Sequence, residues 1–142
     1  MTATLSNQAS NVNWLMSRFV GDTVGVEQAI AVSADGLLMA ISSNLDRANA
    51  DKLAAIVTGM RSLSDGAARV LGKGGLNQVI IEMRSAYLFV SAISGGSTIG
   101  VVASKTCDLG LVGYEITLLV QRVGAQLTPE LITELKNSLS GL

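Results

Sequence analysis

The glycine-rich segment from Gly66 to Gly75 is the first place where this sequence could perform chemistry, because Gly72 and Lys73 resemble the end of a phosphate-binding loop. The match to that motif fails at two points. Gly74 stands where the motif requires Ser or Thr, and the glycines end a helical pattern where a phosphate loop would begin one. We interpret the glycines as helix-ending and loop residues, and we predict no bound nucleotide or other cofactor.

Histidine is absent from the chain, and Cys107 is its single cysteine. Catalytic triads and dyads that use histidine as the base are therefore excluded, as are metal sites built from histidine or from several cysteines. Cys107 precedes Asp108 at a predicted helix start, where a helix dipole can activate a thiol. Without a histidine or a second cysteine beside it, we interpret Cys107 as a small structural residue.

The eleven carboxylates of the chain form no pair whose spacing indicates a general acid and a general base. Asp35 belongs to a turn signal, and Asp46 and Asp108 precede helices as caps. Glu82 and Glu115 interrupt apolar elements, and the polar side of an edge strand or of a helix explains them better than catalysis does. The sequence predicts a protein that is not an enzyme and that has no metal site.

The charge balance limits the partners of the chain. Ten basic and eleven acidic residues leave a formal net charge of -1, so no field attracts nucleic acid or an anionic membrane. The longest nearly uncharged apolar segment, Leu109 to Val120, is too short for a membrane span and contains Glu115. A lone cysteine and a polar beginning indicate a cytoplasmic protein, which would reach a membrane only through a partner complex.

Hydrophobic periodicity predicts the elements that position these residues. After a flexible N-terminus over residues 1–11, apolar residues at steps of three and four predict a first helix from Val12 to Val20. The elements that follow are strands over 26–33 and 37–42, a long second helix over 46–71, strands over 76–84, 86–94 and 98–104, a third helix over 108–124, and a tail helix opened by Thr128, Pro129 and Glu130.

The order of these elements predicts the fold class. Short connections make the strands antiparallel neighbours, and strands with consecutive apolar residues are typical of a sheet that is covered on both faces. We predict an α/β (α+β) fold with a five-stranded antiparallel sheet between one long helix and two helices, in the order α-β-β-α-β-β-β-α, plus a C-terminal tail helix. The predicted domain spans residues 12–124, and residues 125–142 form a helical tail.

The second helix carries three stripes, at about 100° of rotation per residue. We expect its apolar face to lie on the sheet: Leu53, Ile56, Val57, Met60, Leu63, Ala67, Val70 and Leu71. The small stripe consists of residues that let two helix backbones approach closely: Ala48, Ala55, Gly59, Ser62 and Gly66. The charged stripe consists mainly of arginines and aspartates: Arg47, Asp51, Thr58, Arg61, Asp65 and Arg69.

The small stripe predicts self-association. Gly59 and Gly66 each cost about 1 kcal/mol relative to alanine inside a helix, so a packing reason for them is expected. A symmetric dimer would bury the stripe twice, and a free edge at the third strand could pair across the same axis. The alternatives are neutral drift of surface residues for the small stripe and an ordinary solvated face for the charged stripe.

Several short motifs occupy characteristic places in this order of elements. They are Asp35-Gly36-Leu37-Leu38-Met39-Ala40 in the hairpin, Lys52-Leu53-Ala54-Ala55 in the second helix, Val79-Ile80-Ile81-Glu82 in the third strand, Gly95 followed by Ile99-Gly100-Val101-Val102-Ala103, and Asp108-Leu109-Gly110. Together they resemble the Roadblock/dynein light chain family over roughly Val12 to Gly124. Length and tail are most similar to the bacterial members that are encoded beside a small Ras-like GTPase and a sensor kinase.

The resemblance implies a homodimer joined through the second helix and the third strand. It places at the dimer axis the small stripe together with two residues of the third strand: Ala48, Ala55, Gly59, Ser62, Gly66, Gln78 and Ile80. It further implies that a small Ras-like GTPase binds the second-helix face of the dimer. The candidate contacts to that partner are Arg47, Asp51, Arg61, Asp65 and Arg69.

The leading hypothesis is therefore a non-enzymatic homodimeric regulator or scaffold for a small Ras-like GTPase, in a bacterial signalling complex that can include a sensor kinase. The alternative is a small-ligand sensor or general adaptor domain without a GTPase partner, and a large internal pocket with convergent polar groups would favour the sensor. For the tail helix, one option is contact with the GTPase. The other is docking on the third helix at Leu111, Tyr114 and Leu118.

Overall fold

The computed structural model describes residues 5–42 and 44–140, and their helices and strands follow the predicted order. They are α1 (Asn7–Asp22), β1 (Val26–Val32), β2 (Leu38–Ile41), α2 (Arg47–Leu71), β3 (Gln78–Glu82), β4 (Ala86–Ala92), β5 (Thr98–Ser104), α3 (Leu109–Gly124) and α4 (Pro129–Ser140).

The strands form one 5-stranded sheet in the order β2-β1-β5-β4-β3, and every neighbouring pair is antiparallel. The predicted antiparallel sheet is confirmed. Its two edges are β2 and β3, so the third strand lies at an edge, as the sequence predicts.

Two buried clusters cover the two faces of the sheet, which confirms the predicted sandwich. On one face α1 and α3 bury Met16 and Ile116 against Phe89. On the other face α2 buries Val57 against a smaller cluster. The helix approaches the sheet closely at Gly100, where an added Cβ would lie 2.9 Å from Cγ2 of Val57. Glycine at this position therefore sets the distance between α2 and β5.

The predicted helix caps are present. Asp46, Asp108 and Thr128 each accept a hydrogen bond from the backbone N–H three residues further on, at 2.9, 3.0 and 3.1 Å. These bonds satisfy backbone donors that have no partner inside a helix. α2 ends at Gly72, whose φ of 61° is the left-handed conformation expected of a glycine cap.

Helix α1 begins at Asn7, five residues before the predicted start at Val12. Ser6 caps it, and the backbone N–H and hydroxyl of Ser6 both donate to the carboxylate of Glu134 in α4, each at 2.7 Å. This partner lies 128 residues away, so periodicity could not reveal it. The flexible N-terminus over residues 1–11 and the domain limits at 12 and 124 stay predictions, and residues 1–4 lie outside the described residues.

Helix α4 packs against β2 and α1. Leu131 and Leu135 are buried in the cluster that contains α1, whereas Leu139 packs against the cluster under α2. α4 therefore crosses the edge of the sheet beside β2. The predicted docking site on α3 is wrong, because two of its residues, Leu111 and Tyr114, remain exposed. The apolar surface that attracts α4 lies on a strand distant in sequence, which explains the error.

Candidate functional site

The apolar face of α2 is divided between the sheet and solvent. Val57 is buried, as predicted, but Ile56, Leu63 and Val70 are 53%, 74% and 86% exposed, and Leu71 is exposed as well. The expectation that the whole apolar face lies on the sheet is therefore wrong for these four residues and for Ala67, which is also exposed. The reason is that the apolar positions span a wider arc of the helix than the sheet can cover.

Three of the exposed apolar residues follow one line along α2. Ile56, Leu63 and Val70 recur every seven residues, which returns a helix to nearly the same direction. We call these three residues the apolar ridge. Contiguous exposed apolar surface is a mark of interaction sites on water-exposed proteins. The ridge is therefore the strongest candidate on α2 for contact with another chain.

The small stripe lies beside this ridge, on the side of α2 that faces away from the sheet. Gly66 is nine residues from buried Val57, a rotation of about 180°. A Cβ built on Gly59 meets no described atom within 4 Å, so packing inside the chain does not require glycine there. The members of the stripe are exposed or half-buried: Ala48, Ala55, Gly59, Ser62 and Gly66.

The predicted dimer residues of β3 face the other side of the sheet. Ile80 pairs with Phe89, which is buried under α1 and α3, whereas Val79 and Ile81 pack on the α2 side. Gln78 also faces α3, since its Oε1 would lie 3.2 Å from a Cβ added at Gly113. The small stripe and the pair Gln78 and Ile80 thus lie on opposite faces, joined by the free backbone edge of β3.

Arg61 of the charged stripe is engaged within its own chain. Its guanidinium donates to the carbonyl of Ser97 and, at 3.2 Å, to the hydroxyl of Thr98, both at the β4–β5 turn. An ion pair at 3.3 Å joins it to Asp65, and only 17% of its side chain is exposed. Arg61 therefore fastens α2 to the sheet, a role that its place on an exposed stripe does not predict.

The other arginines of the charged stripe differ from one another. Arg47 forms an ion pair with Asp51 at 3.1 Å and donates to the carbonyl of Leu139 in α4. Arg69 is exposed, and none of the ion pairs among the described residues includes it. Of the predicted partner contacts, Arg69 thus keeps its donors available to another molecule.

A surface cavity of about 330 Å³ lies between α2 and two hairpin turns, β1–β2 and β4–β5. The turns lie close together, since a Cβ added to Gly96 would lie 3.0 Å from Cβ of Ala34. Asp35 lies in the β1–β2 turn beside the cavity. Hydrogen bonds from the Ser33 hydroxyl and then from Lys136 hold the pKa of Asp35 below its ordinary value of 3.8. The cavity is lined mostly by polar residues: Ser33, Ala34, Thr58, Arg61, Ser62, Asp65, Arg69, Gly96 and Thr98.

Sequence periodicity missed this cavity because its lining comes from three separate segments of the chain. Polar groups converge in the cavity, but it lies at the surface and is therefore not the large internal pocket that would favour a small-ligand sensor. Among residues 5–42 and 44–140, no group of three or more His, Cys, Asp or Glu is placed to hold a metal ion. Within the same ranges, no helix is both long and apolar enough to cross a membrane.

Comparisons with known proteins show which solved structures share this fold. No curated protein sequence matches the chain significantly. Among solved structures, the chain is similar to MglB from Myxococcus xanthus, with 17% identity over 82% of this chain and 94% of that chain and a TM-score of 0.75. The gliding protein MglB from Thermus thermophilus is 15% identical over 88% of this chain and 94% of that chain, with a TM-score of 0.76. At these identities the likeness shows the shared fold.

Two further matches show the family. A Roadblock/LC7 domain from Streptomyces avermitilis is 36% identical over 78% of this chain and 92% of that chain, with a TM-score of 0.74. The model of the Roadblock/LC7 domain matches residues 12–103, which is more than half of the chain. The chain therefore belongs to the Roadblock/LC7 domain family.

Proposed function

We propose that this chain is a non-enzymatic, homodimeric regulator or scaffold that binds a small Ras-like GTPase in a bacterial signalling complex. The observation that carries this proposal is the apolar ridge on α2, exposed beside a stripe of small residues and on the same chain as a free strand edge. The proposed place of action is the cytoplasm, with a sensor kinase as a further member of the complex.

The ridge and the small stripe support the homodimer. A second copy presents the same ridge, so a two-fold axis buries Ile56, Leu63 and Val70 twice. Full burial of each such side chain stabilises by about 1.5–3 kcal/mol. The small residues beside the ridge let the two α2 backbones approach, since Gly59 has open space above it.

The sheet supports the same axis. β3 is an edge strand, and its outward backbone groups can pair with a second β3. The sheets of the two copies would then continue into one another, with the α2 helices side by side on one face. Ile80, which is 46% exposed on the other face, would approach its counterpart there.

The family and the charged stripe support the GTPase partner. The family resemblance implies that a small GTPase binds the face formed by the second helices. On this chain Arg69 is the arginine of that face whose guanidinium stays available. Arg61 is held by carbonyl groups of its own chain, so it is poorly placed to enter a GTPase active site as a catalytic arginine.

A binding experiment tests the proposal. The full chain is immobilised and incubated with the small Ras-like GTPase encoded nearest to its gene, loaded with GDP or with a non-hydrolysable GTP analogue. We expect retention that depends on the nucleotide, weakened by Arg69→Glu. Arg18→Glu, an equal change of charge on exposed α1, serves as the matched control. Equal background retention in both nucleotide states would contradict the proposal and leave the adaptor alternative.

A further inference from the structure

The polar cavity beside α2 shares Arg69 with the proposed GTPase contact and Ser62 with the proposed dimer stripe, but the rest of its polar lining is used by neither. We infer that it is a binding site for a small oxyanion, the phosphate or carboxylate group of a metabolite, with Arg69 as the principal ligand. The inference goes beyond the proposed function, since it concerns a small molecule and not a second protein.

The walls of the cavity are fixed before anything binds. Arg61 closes one side, held by the carbonyl of Ser97, the hydroxyl of Thr98 and the carboxylate of Asp65. The two hairpin turns form the other side, and they lie close together, since a Cβ added to Gly96 would meet the Cβ of Ala34 at 3.0 Å. Gly96 has a φ of 97°, which only glycine adopts readily, so this turn has one preferred shape. A preformed site loses little conformational entropy when a ligand enters.

The charges in the cavity favour an anion. The carboxylate of Asp65 is already neutralised by Arg61 at 3.3 Å. Arg69 brings a second guanidinium, which has no carboxylate partner among the described residues. With two arginines and one aspartate in its lining, the cavity keeps one uncompensated positive charge. An anionic group is the complement to that charge.

The donors in the cavity specify the kind of anion. A guanidinium presents a planar fork of N–H groups that fits two oxygens of a phosphate or a carboxylate at once. Ser62 adds an exposed hydroxyl on the same side of α2. Thr58 donates its own proton to the carbonyl of Ala54 at 2.8 Å, so its oxygen is left as an acceptor for a hydroxyl of the ligand. The site therefore suits a hydroxylated phosphate or carboxylate compound.

The volume limits the size of the ligand. A cavity of about 330 Å³ is at the lower end of the usual range for small-molecule sites, about 300–1,000 Å³. It accommodates a small metabolite. An acidic side chain of a partner protein would offer the same oxygens, and the experiment distinguishes this occupant by using free small anions.

The test is an NMR titration of the full chain, labelled with ¹⁵N, at constant ionic strength. One arm uses inorganic phosphate and the other uses succinate. We expect saturable shifts of the amide signals of Thr58, Ser62, Gly96 and Thr98 with at least one anion. Saturation by phosphate alone identifies a phosphorylated ligand, and saturation by succinate alone identifies a carboxylate.

Two variants assign the site. Arg69→Gln should weaken binding about tenfold or more, because it removes the bidentate donor. Lys73→Gln removes the same charge from an exposed residue outside the lining, and it should leave the affinity within about twofold of wild type. Ser62→Ala, at an exposed helix position, provides a milder second change in the site, with weaker binding expected.

Three outcomes would overturn the inference: shifts that stay linear for both anions, binding that survives Arg69→Gln, and equal weakening by Arg69→Gln and Lys73→Gln. Equal weakening would indicate general charge attraction only, and binding that survives Arg69→Gln would mean that the anion binds without Arg69. Sedimentation of the same samples reports the oligomeric state, and the GTPase retention assay is separate. Failure of the anion site is therefore distinguishable from failure of the proposed function.

Discussion

The guanidinium of Arg61 donates a hydrogen bond to the backbone carbonyl of Ser97, and this bond joins the middle of α2 to the β4–β5 turn. The two residues lie 36 positions apart in the chain. Thr98 accepts a bond from the same Nη1 and Asp65 pairs with Nε, so the contact is a small network and not a single bond. It holds one wall of the polar cavity in place.

Arg61→Ala should lower the free energy of unfolding by about 1–3 kcal/mol, because it leaves acceptors at the β4–β5 turn without their charged donor. Arg69→Ala should change it by less than about 0.5 kcal/mol, since Arg69 is exposed and unpaired among the described residues. Urea unfolding of both variants measures the difference. Equal destabilisation would show that the Arg61 network contributes nothing to stability.

Gly59→Leu should convert the proposed dimer into monomers of 14.7 kDa. The added side chain has open space within its own chain, so the clash arises only against a second copy. Analytical ultracentrifugation measures the mass, and circular dichroism checks that the helices remain. Gly21→Leu is the matched control, because Gly21 is also an exposed helical glycine with open space above it. If wild type and Gly59→Leu sediment alike, the small stripe is not an interface.

Leu135→Ala should lower the free energy of unfolding by about 2–5 kcal/mol, the usual cost of truncating a buried leucine. Leu135 lies on the buried side of α4 and has no exposed surface. Truncation of its side chain therefore leaves a cavity between α4 and the sheet face that is covered by α1. The same truncation at exposed Leu37 should cost little. Thermal or urea unfolding measures both. A small effect at Leu135 would mean that α4 is only loosely attached.

Glu134 should make the attachment of α4 sensitive to acid. Hydrogen bonds from the backbone N–H of Ser6 and then from its hydroxyl lower the pKa of Glu134 from its ordinary value of 4.5. Because the folded-state pKa lies below the unfolded value, the stabilisation is complete above pH 4.5 and is lost as the pH falls through the folded pKa.

Urea unfolding as a function of pH measures this contribution. Wild type should be more stable than Glu134→Gln near neutral pH, and the two should converge in acid, below the folded pKa of Glu134. Glu27→Gln, a neutralisation of an exposed carboxylate on β1, controls for the loss of a negative charge. A constant difference between wild type and Glu134→Gln at every pH would rule out ionisation of Glu134 as the cause.

Local signals in the sequence predict much of this fold. The caps at Asp46 and Asp108 and the left-handed Gly72 depend on residues within one helical turn, so the sequence reveals them directly. The consecutive apolar residues Val79, Ile80 and Ile81 likewise place β3 correctly as a strand of a sheet that is covered on both faces. Its edge position agrees with the free edge predicted for the third strand, since β4 is the one neighbour that the sheet gives it.

Other features depend on contacts between distant segments, which a single sequence does not display. The bond from Ser6 to Glu134 extends α1 beyond its apolar pattern and fixes α4. Periodicity identifies Leu63 as apolar but does not show that the sheet ends before covering it. The spacing of Arg61 places it on an exposed stripe, yet its guanidinium donates hydrogen bonds to the β4–β5 turn. The dimer residues and partner contacts stay predictions.

The position of α4 also determines how far assembly can proceed. A sheet with two open edges can add copies at both, and such growth has no natural end. Here α4 lies along β2, so β3 is the edge left for pairing. Once two chains have joined through β3, neither offers another strand, and the product is a closed pair. Deletion of α4 should therefore expose β2 as a second open edge, and the chains should then form fibrous aggregates in place of closed pairs.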